Sequence, residues 1–109
     1  MKYRLMNSAI MPAPGKYRMT ALARGVFIGY VRDAYEGDSL VSYCGYPQNA
    51  RCLSEWSGVP IPVSRRHTGP DMRDGDVLLI MTLRYRSDAP KGAPVSEDDF
   101  EYAIAEYSE

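Results

Sequence analysis

The residues of this chain that are best suited to ligand chemistry are arginines and small polar residues at the ends of predicted strands and the starts of predicted helices. Open α/β sheets usually place ligands there, outside the carboxyl ends of the strands. Ten of the thirteen cations are arginine, whose planar guanidinium suits paired hydrogen bonds to phosphate. The candidate ligand-binding residues are Asn7, Ser8, Gly45, Tyr46, Gln48, Asn49, Arg65, Arg84 and Arg86. They predict a phosphate site, whereas the alternative interpretation makes Asn7 a turn residue and Arg65 a surface ion-pair partner.

Other common catalytic centres have no matching sequence pattern. The sole histidine, His67, has no cysteine at zinc spacing, and the spacing of Cys44 and Cys52 matches none of the usual ligand pairs. The chain has no glycine-rich phosphate loop, no dinucleotide-binding fingerprint and no nucleophile-elbow serine. We therefore expect no metal and no cofactor, and we expect the two thiols to stay reduced, as they do in the cytosol.

One predicted helix positions part of the candidate site. Pro47 is well placed in the first turn of a helix, and Gly58 is the residue best able to adopt the left-handed conformation that ends one. Ala50, Leu53 and Trp56 recur at helical spacing and should face the core. The start of this helix offers free backbone N–H groups and the positive end of the helix dipole, which together bind anions.

The remaining elements are predicted from hydrophobic periodicity and turn residues. Apolar residues at helical spacing predict a first helix around residues 27 to 34, and Val77–Leu83 reads as a central strand covered on both faces. Ser96 and the three acids after it predict a helix start, followed by a short helix or strand. The other predicted strands are 3–6, 16–22, 39–44 and the proline-containing 59–63, which belongs at an edge of the sheet. We expect one α/β (α+β) domain over residues 1–109, a small mixed β-sheet flanked by helices.

Charge and hydropathy limit the partners. A net charge of −1 gives no overall positive field for a long nucleic acid, and no apolar run is long enough for a membrane helix or a signal peptide. We therefore expect a cytoplasmic protein. Six basic residues and no acid lie between Lys2 and Arg32, whereas six acids and no base lie between Glu97 and Glu109. This asymmetry predicts one positive pole.

Several short segments, in order, resemble a known family. They are Leu5-Met6-Asn7-Ser8-Ala9, Gly45-Tyr46-Pro47-Gln48-Asn49-Ala50 with Leu53 and Gly58, Val63-Ser64-Arg65, and Asp74-Gly75-Asp76 with the strand through Arg86. Their order and spacing resemble the viral ring nucleases that serve as type III anti-CRISPR proteins. The resemblance implies a small α/β fold, a symmetric homodimer, and a cyclic oligoadenylate second messenger bound between the subunits. It also implies that Asn7, Ser8, Arg65 and Arg86 contact phosphates or bases.

This chain departs from the family at its catalytic histidine, where it carries Tyr46. Free histidine titrates near about 6.5 and free tyrosine near about 10, so a phenol is poorly matched to general acid–base catalysis at neutral pH. An aromatic ring still stacks on a base and donates one hydrogen bond.

Three functions follow from the sequence. The leading hypothesis is a host-cell sponge that binds and sequesters a cyclic nucleotide messenger with little or no turnover. The second is a slow metal-independent ring nuclease that uses Tyr46 or His67 as the acid. The third is a protein-interaction domain with a vestigial nucleotide site.

Overall fold

The computed structural model describes residues 2–6, 14–44, 46–64, 72–83 and 99–108. These residues form five strands and two helices. The strands are β1 (Tyr3–Met6), β2 (Lys16–Leu22), β3 (Leu40–Tyr43), β4 (Val77–Leu83) and β5 (Phe100–Ser108), and the helices are α1 (Arg24–Glu36) and α2 (Pro47–Ser57). Chain order is therefore β1-β2-α1-β3-α2-β4-β5, and the predicted mixed sheet flanked by helices is confirmed.

The five strands form one mixed sheet in the order β2-β5-β4-β1-β3. β1 lies parallel to both neighbours, β3 and β4, whereas β5 is antiparallel to β4 and β2. Four strands therefore run in one direction, and their carboxyl ends lie at one edge of the sheet. Both helices begin at this edge, because each directly follows one of these strands.

The two faces of the sheet are covered differently. On one face, Phe27 and Val31 of α1 and Ala50 and Leu53 of α2 are fully buried against alternate residues of the strands, such as Leu79. The opposite face carries a second apolar cluster that includes Leu78 and Ile80, and no residue of either helix belongs to it among the described residues. β4 supplies both clusters, which confirms that it is a central strand covered on both faces.

α2 begins and ends at the predicted residues. Pro47 occupies its first turn, where a missing N–H costs nothing, and Gly58 adopts the left-handed conformation with φ 73°. Arg32 of α1 donates a hydrogen bond of 2.6 Å from Nε to the carbonyl of Ser57, at the carboxyl end of α2. This contact satisfies a carbonyl that the helix itself leaves free and ties α1 to α2.

A buried ion pair joins β1 to the turn before β4, at the amino ends of these strands. The Arg4 guanidinium lies 3.1 Å from the Asp76 carboxylate, which also accepts hydrogen bonds from the backbone N–H groups of Lys2 and Arg73. Burial raises the pKa of Asp76, but the hydrogen bonds and the Arg4 charge outweigh it and hold this pKa below its ordinary value. The turn itself is the predicted one, with Gly75 at φ 88°.

Three expectations require correction. Residues 59–63 form no strand, because Pro60 and Pro62 have no N–H to donate to a ladder. The chain from Phe100 to Ser108 is a strand, so the strand alternative for the carboxyl terminus is correct and no helix continues past Asp99. The positive pole is wrong, because β2 pairs with β5 and the basic and acidic segments lie side by side.

Candidate functional site

Three parallel strands end close together at the carboxyl edge of the sheet. Met6, the last residue of β1, is in register with Tyr43, the last residue of β3, and with Ile80 of β4. β4 continues three residues beyond this level, so β1 and β3 end beside a longer strand. The region outside the carboxyl ends of parallel strands is where open α/β sheets bind ligands.

The segment after α2 returns along the free side of β3 to the same edge. Ser42 donates a hydrogen bond of 2.7 Å from Oγ to the carbonyl of Pro62, and the N–H of Ser64 donates one of 2.9 Å to the carbonyl of Cys44. The proline segment thus lies at the predicted edge although it forms no strand. This backbone contact places Ser64 beside Cys44, the residue before Gly45 in the chain.

The start of α2 lies at this edge and carries unused backbone donors. Tyr46 is the N-cap residue, its side chain makes no capping hydrogen bond, and the first turn contains no acidic residue. The first bond of the helix runs from the N–H of Ala50 to the carbonyl of Tyr46 at 3.1 Å. Within the described part of the chain, the N–H groups of Gln48 and Asn49 have no acceptor. Free N–H groups and the positive end of the helix dipole are the two features that favour an anion at a helix start.

The side chains of the three candidate residues at this helix start differ in exposure. Tyr46 is 62% exposed, Gln48 is half-buried, and Asn49 is only 5% exposed. Within the described part of the chain, the buried side-chain atoms without a hydrogen-bond partner are Arg4 Nε and Thr82 Oγ1, and the Asn49 amide is not one of them.

Cys44 lies beside the helix start but is not a nucleophile. Its thiol is buried and donates a weak hydrogen bond to the carbonyl of Tyr46 at 3.8 Å. Burial raises the pKa of Cys44 and outweighs this hydrogen bond, so the reactive thiolate is disfavoured. Burial likewise raises the pKa of Cys52 in α2. Both thiols are free, as predicted.

Six of the nine candidate binding residues lie outside the described residues. These are Asn7, Ser8, Gly45, Arg65, Arg84 and Arg86, and His67 is outside them as well. The neighbours that lead into them are described, and they are Met6, Cys44, Ser64 and Leu83. Met6 and Ser64 lie on opposite sides of the end of β3, where Cys44 follows the strand.

Sequence reasoning missed the residue that holds the returning segment in place. Ser42 is buried in β3, and its hydroxyl both binds the Pro62 carbonyl and accepts a hydrogen bond of 3.3 Å from the N–H of Cys44. A serine in a short apolar strand has no distinctive spacing. The only available signal was a polar residue in a predicted buried strand.

Neither a metal centre nor a membrane helix is found in the described part of the chain. No group of three or more histidine, cysteine or acidic side chains there could hold a metal ion. Neither α1 nor α2 is long and apolar enough to cross a membrane.

Comparison with known proteins identifies the family. A model of the STIV B116-like family matches residues 3–108. Among solved structures, B116 of Sulfolobus turreted icosahedral virus superposes with a TM-score of 0.80 at 16% sequence identity, covering 98% of this chain and 100% of B116. No curated protein sequence matches the chain. B116 shares the fold described above, and since the family match spans nearly the whole chain, this protein belongs to the STIV B116-like family.

Proposed function

We propose that this protein binds a cyclic oligonucleotide messenger and sequesters it with little or no turnover. The observation that carries the proposal is the uncapped start of α2, which lies at the carboxyl edge of the sheet beside the exposed Tyr46. The resemblance of residues 3–90 to viral ring nucleases supplies the ligand class, a cyclic oligoadenylate. Removal of such a signal would act as a countermeasure against host defence.

Phosphate binding rests on the helix start. The N–H groups of Gln48 and Asn49 have no acceptor among the described residues, and no acidic side chain in the first turn competes for them. A phosphate oxygen accepts such hydrogen bonds and gains from the positive end of the helix dipole. Each charge-assisted hydrogen bond contributes about 1.5–3 kcal/mol.

Base binding rests on Tyr46. Its ring is largely exposed at the N-cap, where it is available to stack on a base whose phosphate occupies the helix start. Stacking on an aromatic side chain contributes about 1–3 kcal/mol per base and tolerates any base.

Low turnover follows from the side chains at the helix start. The side-chain amides of Gln48 and Asn49 have no titratable group, so neither can act as a general acid or base. The raised pKa of Cys44 disfavours a thiolate. General acid–base catalysis is typically worth about 10²–10⁴-fold, so its loss favours retention of the ligand over cleavage.

The ligand class also favours a symmetric homodimer. A cyclic oligonucleotide with internal two-fold symmetry is matched by the same pocket residues from two identical subunits. Light scattering with and without cyclic oligoadenylate tests this, and a monomer mass in both samples contradicts it.

Calorimetric titration with cyclic oligoadenylates tests the binding proposal. Tyr46→Ala removes the stacking ring, so we expect affinity to fall roughly five- to 150-fold, which corresponds to about 1–3 kcal/mol. Tyr35→Ala is the matched control, because Tyr35 is also an exposed tyrosine, at 47%, but lies on α1 near its carboxyl end. No binding by the unmodified protein, or equal affinity of the two variants, refutes the proposal.

A further inference from the structure

We propose that the outer edge of β2 binds an extended segment of another protein as an added strand, and that this segment carries acidic side chains at alternate positions. This inference concerns a surface separate from the start of α2. β2 and β3 are the outermost of the five described strands, so four strand spacings of about 4.8 Å, or roughly 19 Å, separate them.

The edge of β2 is long and open. The strand has seven residues and, among the residues that the structure describes, pairs only with β5, so its outward N–H and C=O groups face away from these strands. Five of its residues are exposed, namely Lys16 and the four residues from Arg18 to Ala21. Such an edge is a template for pairing with another strand, and its main-chain groups supply the affinity.

The side chains of β2 give this edge positive charge. Every second residue of β2 lies on the same face, and on one face these are Lys16, Arg18 and Thr20. Leu22, the last residue on that face, packs against the helix-covered core. Within the described residues neither Lys16 nor Arg18 forms an ion pair, although Arg18 stands opposite Glu106 of β5 in the ladder. An added strand would flank Arg18 on its other side, so an acidic residue there would complete a three-strand row of alternating charge.

Charge complementarity decides between the two kinds of occupant. A second copy would bring its own Lys16 and Arg18 to the same edge, and cations on an edge strand oppose such self-pairing. An acidic strand, by contrast, places a carboxylate beside each cation when its acids are two residues apart, because side chains on one face of a strand recur with period two. The apolar residues of the other face, Met19 at 47% exposure and Ala21, accept small or branched apolar residues between the acids.

Amide chemical shifts of the isotope-labelled full chain test the proposal with synthetic heptapeptides. The probe is acetyl-Thr-Glu-Val-Glu-Val-Glu-Thr-amide, and its two controls replace the glutamates by lysine or N-methylate the valine amides. We expect saturable shifts concentrated in residues 16–22 with the glutamate peptide. The lysine peptide and the N-methylated peptide should bind at least about tenfold more weakly, because they lose the charge match and the backbone donors respectively.

Variants of the chain complete the test. The double variant Lys16→Glu, Arg18→Glu should weaken binding of the glutamate peptide about fivefold or more, and the single charge reversal Lys2→Glu, at an exposed residue outside β2, should not. Shifts outside β2, equal binding of the lysine peptide, or an unaffected double variant overturns the proposal. Concentration-dependent dimerisation through β2 without peptide also overturns it, because the occupant would then be a second copy.

Discussion

Gln48→Glu tests whether an anion binds at the start of α2. The change alters one amide to a carboxylate of nearly the same shape, at a half-buried residue in the first turn of a helix that has no acid there. A negative charge at a helix start stabilises the helix by about 0.3–1 kcal/mol. The same charge repels a phosphate bound at that start. The variant should therefore be more stable and bind more weakly.

The expected loss of affinity follows from Coulomb's law. Neighbouring groups within one helix turn lie roughly 6 Å apart, and we assume this separation between the carboxylate of Gln48→Glu and a phosphate at the start of α2. At effective dielectric constants of about 80 to 20, which bracket a half-buried surface residue, two unit charges at this distance repel by roughly 0.7–2.8 kcal/mol. Affinity should fall roughly threefold to 100-fold, and added salt should reduce the difference from the unmodified protein.

Thermal unfolding and calorimetric titration measure the two effects on the same samples. The helix-dipole gain predicts a rise in Tm of about 1–6 °C for a chain of this size. Gln48→Met, which removes the amide without adding charge, is the control for lost contacts. If Gln48→Glu binds as tightly as the unmodified protein, no anion sits at the start of α2. If both variants lose affinity equally, the amide rather than the charge is responsible.

Four further predictions concern stability. Asp76→Asn removes a buried carboxylate that accepts one guanidinium and two backbone hydrogen bonds, so the free energy of unfolding in urea should fall by about 3 kcal/mol, and an unchanged midpoint would contradict this. Because folding lowers the pKa of Asp76, this carboxylate stabilises the fold fully above about pH 5, and the stabilisation is lost as pH falls below about 4 toward the lowered pKa. The free energy of unfolding of Asp76→Asn should therefore depend less on pH in this range. Equal pH dependence of the two proteins would contradict the lowered pKa of Asp76. Gly15→Ala should cost about 1–3 kcal/mol, since φ is +151° and the new Cβ would lie 2.5 Å from the Tyr107 ring; a neutral effect in the same assay would mean that this contact is relaxed at little cost. Arg32→Ala removes the hydrogen bond to the last turn of α2 and should cost about 1 kcal/mol, and no change in Tm would show that this carbonyl is satisfied by water.

The elements that were predictable are those whose signals are local. Pro47 and Gly58 fix the two ends of α2 through backbone preferences that act within one turn. The apolar run Val77–Leu83 requires burial on both faces, and this is met only in the middle of the sheet. Tyr46, Gln48 and Asn49 could be placed at a helix start for the same local reason.

What could not be predicted depends on contacts between distant segments. The register that places Arg18 opposite Glu106, and so sets part of the basic segment beside the acidic one, is determined by strand order rather than by either segment alone. Pro60 and Pro62 prevent a regular strand from pairing with β3, and the Ser42 hydroxyl holds this segment through the Pro62 carbonyl instead. No residue spacing in the sequence predicts this contact. Asp76 was predicted as a turn residue, but its buried partner Arg4 lies 72 residues away.

The most direct test of the central claim is to recover the ligand after uptake. The protein is incubated with cyclic oligoadenylates, separated from unbound nucleotide, and analysed by chromatography before and after heat denaturation. The account predicts that nucleotide co-elutes with the folded protein and that heating releases it as intact cyclic ligand. Release of linear product contradicts sequestration and identifies a ring nuclease, and absence of uptake contradicts nucleotide binding altogether.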